Sequence, residues 1–268
     1  MTLLTLALAP FWASASDLPR VVSVNVCTDQ LVLLLADPEQ IISLSQLSDD
    51  PRSSVMADEA TGFARNNAQA EMIAVQRPDV VVAGIYNDPN LINMLQSIGI
   101  ETVQFPVTQS LQDISSEIRK MGTVLDQQAK AERIADRLER DLTQIRAAQE
   151  NAPLAAFFLP NGYALGAGTL SHEILVAAGA RNLSVELGFE GNGTLSLEQV
   201  ILHQPDLLIG AQEYRGYSMA EDMVTHPALA AIPVLNTSVD WVCGTPFVLR
   251  AIEDVARAIE DLETSSNE

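Results

Sequence analysis

The chain has few basic residues, little histidine and cysteine, and few aromatic residues. Fifteen Lys and Arg stand against 35 Asp and Glu in 268 residues, which leaves a formal net charge of −20 at pH 7. Nucleic acids and anionic membrane surfaces attract proteins through basic patches, so this balance argues against both as partners. Three His and two Cys are also too few for the usual zinc sites. We interpret His172, His203 and His226 as structural or solvated.

The sequence also lacks the short motifs of several large enzyme classes. G-x-S-x-G, H-E-x-x-H, G-x-x-x-x-G-K and C-x-x-C are all absent. After the N-terminus, no apolar run reaches the roughly 18 residues that a membrane helix needs. A hydrophobic content of 47% with 19% charged residues indicates a globular chain with a substantial core. We therefore expect no catalytic residues, no protein-bound metal and no resident cofactor.

The first fifteen residues, MTLLTLALAPFWASA, contain no charged side chain. This apolar stretch is too short to span a bilayer, and it ends in Ala13-Ser14-Ala15, the small-x-small pattern that signal peptidase accepts. The pattern predicts a signal peptide over residues 1–15, cleavage near Ala15 and a periplasmic protein without a membrane anchor. A buried N-terminal helix or strand is the alternative.

Strand-like runs alternate with helical patterns in both halves of the chain. The runs of the first half are residues 20–26, 41–45, 77–84 and 101–106. Those of the second half are residues 155–160, 204–211 and 231–237, before a C-terminal helix near 246–262. Such alternation predicts an α/β fold of two Rossmann-like lobes with mostly parallel sheets. We place the N-terminal lobe at 16–107 and the C-terminal lobe at 151–268.

A connecting helical segment, residues 108–150, joins these lobes. Residues 126–150 contain neither Gly nor Pro, and Asp126 is a plausible N-cap. The aliphatic residues of this stretch lie on one narrow stripe: Ala131, Ile134, Leu138, Leu142 and Ile145. A helix over these residues would extend for roughly 37 Å. The pattern predicts a single long backbone helix between the lobes, with an ordinary surface helix of one domain as the alternative.

An internal repeat links the two halves. Residues 70–84 and 197–211 align without gaps, so that Glu71 matches Glu198 and Asp79 matches Asp206. Each copy predicts a short helix that begins near the Glu, then a Pro-Asp turn and a buried strand. Two equivalent lobes imply a cleft between them, and clefts between domains are common ligand sites.

Ligands of open α/β sheets bind beyond the carboxyl ends of the strands. The loops at those ends contain the residues that we expect to contact the ligand: Asn25, Cys27, Thr28, Tyr86, Asn161, Tyr163, Tyr214, Arg215, Trp241 and Cys243. The aromatic members of this set would provide stacking walls for a large flat or hydrophobic chelate. Arg215 could pair with a carboxylate or phosphate of the ligand. For any single member, a solvated surface residue is the alternative.

The two cysteines are 216 residues apart in sequence, one on a predicted cleft loop of each lobe. Three arrangements are open for them. In an oxidising compartment they could form a disulfide, provided that their Cα atoms lie within about 7 Å. They could instead be thiols that face the ligand, or two separately buried small residues.

In order and spacing, these features resemble the class III periplasmic substrate-binding proteins of ABC importers, the group that takes up cobalamin, ferric siderophores and haem. Residues 20–45 resemble the first strand, helix and second strand of that family, and residues 70–84 its helix leading into the third strand. Residues 163–183, 194–210 and 232–246 are similar to the corresponding parts of its second lobe. The resemblance implies capture of a metal chelate, of cobalamin or ferric siderophore type, between two nearly rigid lobes.

The resemblance also implies a partner. We expect a monomer that delivers its chelate to a homodimeric ABC permease with ATPase subunits. Glu71 and Glu198 would be the permease-docking acids, one on each lobe. The alternatives are a haem-binding protein of the same fold, a metal-cluster or chelatase-like enzyme on a two-lobed fold, and a secreted scaffold without a small ligand.

Overall fold

A five-stranded parallel sheet forms the first half of the molecule. The computed structural model describes residues 18–145, 152–211, 220 and 222–265. The strands of this sheet are β1 (Val21–Ser23), β2 (Ile41–Ser45), β3 (Ala64–Asn66), β4 (Val80–Gly84) and β5 (Glu101–Phe105), in the spatial order β3-β2-β1-β4-β5. The central strands β1 and β4 are almost fully buried, because helices cover both faces of the sheet.

Four helices accompany this sheet: α1 (Val26–Leu35), α2 (Ala57–Ala60), α3 (Ala70–Gln76) and α4 (Pro89–Ser97). The first strand is shorter than the strand-like run at 20–26 predicts. The side-chain oxygen of Asn25 accepts a hydrogen bond of 2.9 Å from the backbone N–H of Cys27 and so caps α1. Because of this cap, α1 begins at Val26, which is the last residue of the run at 20–26 that was predicted to be a strand.

Two helices, α5 (Leu111–Val124) and α6 (Gln128–Thr143), follow the first sheet. The expected N-cap at Asp126 is wrong, because Asp126 lies in the turn between the two helices with a φ of 56°. The helix expected over 126–150 is shorter, because α6 ends at Thr143 and Gln144 caps it, and residues 146–150 lie outside the described residues. The aliphatic stripe of α6 packs on the core as predicted, with Ala131 and Leu138 fully buried. On the exposed side, Arg119 of α5 pairs with three acids of α6: Glu132, Asp136 and Glu139.

The second half contains a four-stranded parallel sheet and a separate antiparallel pair. The sheet has the order β11-β10-β6-β8, where β6 is Leu154–Phe157, β8 Arg181–Asn182, β10 Leu207–Gly210 and β11 Val234–Asn236. The antiparallel pair consists of β7 (Tyr163–Leu165) and β9 (Asn192–Thr194). None of the strand-like runs in the sequence predicted these two strands. The helices are α7 (Leu170–Ala177), α8 (Leu183–Glu186), α9 (Leu197–His203) and α10 (Val248–Ser265).

These two sheets confirm the two-lobed α/β fold. We call the part built on the first sheet the N-terminal lobe and the part built on the second sheet the C-terminal lobe. One continuous apolar core runs through both, from Leu44 of the first sheet through Ile118 of α5 to Phe157 of the second sheet. Because packed cores resist deformation, the two lobes are held together by more than a flexible linker.

The internal repeat is present in three dimensions. Both repeat helices, α3 and α9, are seven residues long, and each is followed by a left-handed residue, Arg77 with a φ of 49° and Gln204 with a φ of 46°. Asp79 then accepts a hydrogen bond from the backbone N–H of Arg20, and Asp206 accepts one from that of Leu154, each at 2.8 Å. Each aspartate thus ties its turn to the strand region beside it.

Among the described residues, none of the helices combines the length and the apolar character that a bilayer span requires.

Candidate ligand site

A cavity of about 490 Å³ is lined by residues of both lobes. The N-terminal lobe contributes residues that follow β1 and β4, and the C-terminal lobe contributes the first turn of α7, part of β9 and residues 241, 242 and 244. Residues 105–109 and Glu117 of α5 complete the lining. The volume lies within the range of sites that enclose small organic ligands.

The structure brings five of the ten expected ligand residues to this cavity: Asn25, Cys27, Thr28, Tyr86 and Trp241. Asn161 and Tyr163 are not among its lining residues, and Cys243 lies buried behind Cys27. Tyr214 and Arg215 lie outside the described residues. The ligand-binding role of all ten stays a prediction.

Asn25 and Thr28 also hold the start of α1 in place. Besides the cap from Asn25, the Thr28 hydroxyl donates to the backbone carbonyl of Asn25 at 2.9 Å and lies 2.8 Å from the Ser23 hydroxyl. Thr28 is almost fully buried. Its side chain therefore shapes the cavity wall and has little surface left for a ligand.

The two aromatic residues of the expected set that line the cavity differ in their surroundings. Tyr86 is 86% exposed, whereas Trp241 is only 8% exposed and packs edge-on against Phe157 at a ring-centroid distance of 6.1 Å. Tyr86 therefore has nearly its whole ring available for a ligand. Trp241 is mainly a core residue that presents a small part of its surface.

The two cysteines form a disulfide, with a Cα–Cα distance of 5.2 Å. This finding decides among the three arrangements that the sequence leaves open. Cys27 lies in the first turn of α1 in the N-terminal lobe, and Cys243 follows a short 3-10 helix of the C-terminal lobe. Beside the bond, a Cβ atom built on Gly244 would lie 2.2 Å from the Thr108 hydroxyl, so the Gly244 backbone packs directly against the Thr108 side chain. The lobes are therefore covalently joined at the cavity wall.

Some of the lining residues were not expected from the sequence. Pro106, Val107, Thr108 and Gln109 line the cavity just beyond the carboxyl end of β5, where the rule used for the other strands would also have placed ligand residues. Glu117 reaches it from the second turn of α5. Hydrophobic periodicity identifies the buried face of such a helix, but it does not tell which neighbouring side chain faces a cavity.

Helix N-termini meet the cavity on two sides. Cys27 and Thr28 belong to the first turn of α1, and Leu170 and Ser171 to that of α7. The first turn of a helix carries partial positive charge, which favours electronegative oxygen atoms of a ligand. The described residues contain no group of three or more His, Cys, Asp or Glu placed to hold a metal ion.

Residues 21–237 match the family model described as "Periplasmic binding protein". The chain belongs to this family. Its members are binding proteins and not enzymes, which agrees with the missing catalytic motifs. The match confirms the resemblance to periplasmic substrate-binding proteins that the order and spacing of the sequence features indicated.

Curated relatives resemble most of the chain. The chain is 24% identical over 257 residues to the vitamin B12-binding protein of Pectobacterium carotovorum subsp. carotovorum (strain PC1), covering 92% of this chain and 91% of that protein. It is 22% identical over 199 residues to the cobalamin-binding protein of Halobacterium salinarum (strain ATCC 29341 / DSM 671 / R1), covering 72% of this chain and 54% of that protein.

Solved structures share the fold. The periplasmic haem-binding protein RhuT of Roseiflexus sp. RS-1 matches with a TM-score of 0.73 at 19% identity, covering 91% of this chain and 98% of that one. The periplasmic vitamin B12-binding protein BtuF of Vibrio cholerae matches with a TM-score of 0.68 at 19% identity, covering 92% and 98%. At these identities the likeness establishes the fold alone.

Proposed function

We propose that the protein is the periplasmic substrate-binding component of an ABC importer and captures a metal chelate of cobalamin or ferric siderophore type. The observation that carries the proposal is the cavity between two joined lobes, with the exposed ring of Tyr86 on its wall. Under this proposal the mature protein is a monomer with lobes at 16–107 and 151–268, joined through residues 108–150.

The lining favours an organic chelate over a bare metal ion. A bare ion would require clustered carboxylate, imidazole or thiolate ligands, and the described residues contain no such cluster. Apart from the single acid Glu117, the described lining of the cavity is apolar or neutral and polar, which suits the organic shell of a chelate. The vitamin B12-binding and cobalamin-binding relatives also favour an organic chelate over a bare metal ion.

Titration of the purified mature protein tests this function. A corrinoid, a ferric hydroxamate, a ferric catecholate and haem are added separately, and binding is followed by calorimetry and by Trp fluorescence. We expect submicromolar binding of a corrinoid or a ferric siderophore. Binding of haem alone would instead establish the second candidate, which the fold shared with haem-binding proteins supports. Binding of none of the four would contradict the proposal.

Export precedes this function. The charge-free segment that ends in Ala13-Ser14-Ala15 is proposed to direct secretion and to be cleaved near Ala15. Mass spectrometry of the protein purified from the periplasm of its host tests the cleavage site. An intact N-terminus there would contradict it.

Docking to a permease is proposed to use the two repeat helices. Glu71 and Glu198 are exposed in the first turns of α3 and α9, at equivalent places on the two lobes. Four residues further on, Val75 is 79% exposed and Leu202 is 77% exposed. Side chains four apart lie on the same helix face, so each lobe presents one carboxylate beside one aliphatic side chain. Two matching patches suit a partner made of two identical subunits.

Charge removal tests the docking role. Glu71→Gln combined with Glu198→Gln should abolish transport and stimulation of the ATPase, while ligand affinity stays unchanged, because complementary charge orients such complexes and speeds their formation. Glu59→Gln with Glu190→Gln removes two other acids and serves as the control. Normal transport by the first variant would contradict the docking role.

A further inference from the structure

One acidic side chain of the cavity wall has no visible structural purpose. Glu117 lies on α5, and its Oε2 atom is enclosed by protein without a hydrogen-bond partner among the described residues. Leaving a buried carboxylate oxygen unpaired costs more free energy than leaving a neutral group unpaired. Because protein atoms enclose this oxygen, a ligand donor can pair with it only after the Glu117 side chain turns toward the cavity, and the cost of the unpaired oxygen favours that turn.

The nearest charged residues on the same helix do not supply a donor for this oxygen. Lys120, one turn further on, donates from its ammonium group to the backbone carbonyl of Gln104 at 2.7 Å and lies 4.4 Å from the ring centroid of Phe105. It attracts Glu117 without forming an ion pair, and Asp113, one turn back, repels it. Burial raises the pKa of Glu117, and the attraction of Lys120 opposes this rise.

Glu117 is also the only acid or base with a charge near pH 7 among the described residues that line the cavity. Lys, Arg and His are absent from that described lining, whose other polar side chains are neutral. The charge that a ligand meets along the α5 wall is therefore negative. The partly positive first turns of α1 and α7 lie on other parts of the lining.

We propose that Glu117 is a specificity-determining ligand contact, which accepts a hydrogen bond from an N–H or cationic group of the bound chelate. This inference rests on the proposed chelate-binding function. The carboxylate of Glu117 would select chelates that carry amide N–H or ammonium donors. It would reject chelates that place a carboxylate or catecholate oxygen against α5. A chelate with amide groups fits best, because amide N–H groups suit Glu117 and amide carbonyls suit the helix N-termini.

The test compares Glu117→Gln with the wild-type protein on four probes. The probes are a neutral corrinoid with primary amides, a cationic ferric hydroxamate with a free ammonium group, haem with its two carboxylates, and a trianionic ferric tris-catecholate. Dissociation constants are measured by calorimetry. Glu59→Gln removes an exposed acid of α2 and serves as the control.

We expect the wild-type protein to bind the corrinoid or the cationic hydroxamate most tightly. Glu117→Gln should weaken that binding about 10- to 100-fold, the usual effect of losing a charge-assisted hydrogen bond, and should improve binding of the anionic probes. The control should bind as the wild type does. Equal affinities of Glu117→Gln and wild type would overturn the role of Glu117 and leave the chelate-binding function standing. If the wild type binds none of the probes, the function and the inference are both wrong.

A second measurement needs no ligand. Thermal unfolding of the ligand-free Glu117→Gln variant should show an unchanged or higher Tm, because the variant removes a charge that lacks a partner. A residue with a structural task would give a lower Tm. A clear decrease would therefore overturn the inference even if binding were also weakened.

Discussion

At the scale of single residues, exposure separates aromatic side chains that the sequence treats alike. Tyr86, Tyr163 and Trp241 all follow strand-like runs, yet only Tyr86 combines a place on the cavity with a freely exposed ring. Replacing Trp241 would remove core packing, so a loss of binding would be hard to separate from a loss of stability. Tyr86 is the better probe of ligand contact.

We expect Tyr86→Ala to weaken chelate binding by about 1–3 kcal/mol and to leave the free energy of unfolding nearly unchanged, because the ring has few contacts to lose. Leu47→Ala is the control, since Leu47 is 51% exposed and is not among the lining residues of the cavity. Calorimetric titration and urea unfolding measure both effects. Equal binding losses in the two variants would contradict the assignment of the cavity.

Asp29 is a buried acid whose ionisation opposes folding. It accepts hydrogen bonds from the Ser45 backbone N–H at 3.1 Å and from the Ser45 hydroxyl at 2.5 Å. Burial nevertheless raises its pKa from 3.8 to about 6, against the lowering effect of these bonds and of Ser23. Because the folded-state pKa is the higher one, the native state holds more protons than the unfolded state between about pH 4 and pH 6. Stability should therefore fall as the pH rises through this window.

The expected loss from Asp29 is on the order of 2 kcal/mol between pH 4 and pH 6. Asp29→Asn should remove this part of the pH dependence, whereas Asp58→Asn on exposed α2 should keep it. Urea unfolding at intervals between pH 4 and pH 7 measures the slope. An unchanged slope in Asp29→Asn would show that Asp29 ionises normally in the folded protein.

At the scale of elements, the close contact between α5 and α6 depends on one glycine. A Cβ atom built on Gly122 would lie 2.3 Å from the Cβ atom of Ala131, well inside the distance at which carbon atoms attract each other. In an exposed helix, Gly→Ala would add about 1 kcal/mol of stability. Here the overpacking cost of about 1–3 kcal/mol opposes that gain.

We expect Gly122→Ala to lower the free energy of unfolding by up to about 2 kcal/mol. The double variant Gly122→Ala with Ala131→Gly should regain part of this loss, because the second change removes the other Cβ atom. Thermal unfolding measures the single variants and the double variant. A Tm of Gly122→Ala above that of the wild type would mean that the helices separate at no cost.

At the scale of the whole molecule, the disulfide joins lobes that already share a core. Cys27 and Cys243 close a loop across 216 residues, so the bond restricts a large part of the unfolded chain. It also ties together two loops beside the cavity. The bond therefore affects both global stability and the freedom of the cleft.

Replacing both cysteines by serine should lower the free energy of unfolding by about 2–5 kcal/mol and speed ligand dissociation, because the cavity wall loses its covalent tie. Denaturant unfolding and stopped-flow dissociation measure the two effects. A reducing agent should lower the wild-type stability to that of the variant and leave the variant unchanged. Identical stabilities of oxidised wild type and variant would contradict the prediction.

The sequence by itself determined the two α/β lobes, the repeat and the family. Strand and helix patterns repeat over a few residues, and each Pro-Asp turn of the repeat could be read from the two residues that form it. The aliphatic stripe of α6 followed from the same kind of periodicity. These features could be predicted because each depends on neighbours within the same short segment.

Only the tertiary structure decided which distant residues meet. The pairing of Cys27 with Cys243, the enclosure of Glu117, the exposure of Val75 and Leu202 and the turn at Asp126 all depend on how whole elements pack. Packing brings together residues that are far apart in sequence, and no periodicity within one segment records which neighbour will cover a side chain. The cavity was therefore predictable as a place between two lobes, whereas its charge and its covalent closure were not.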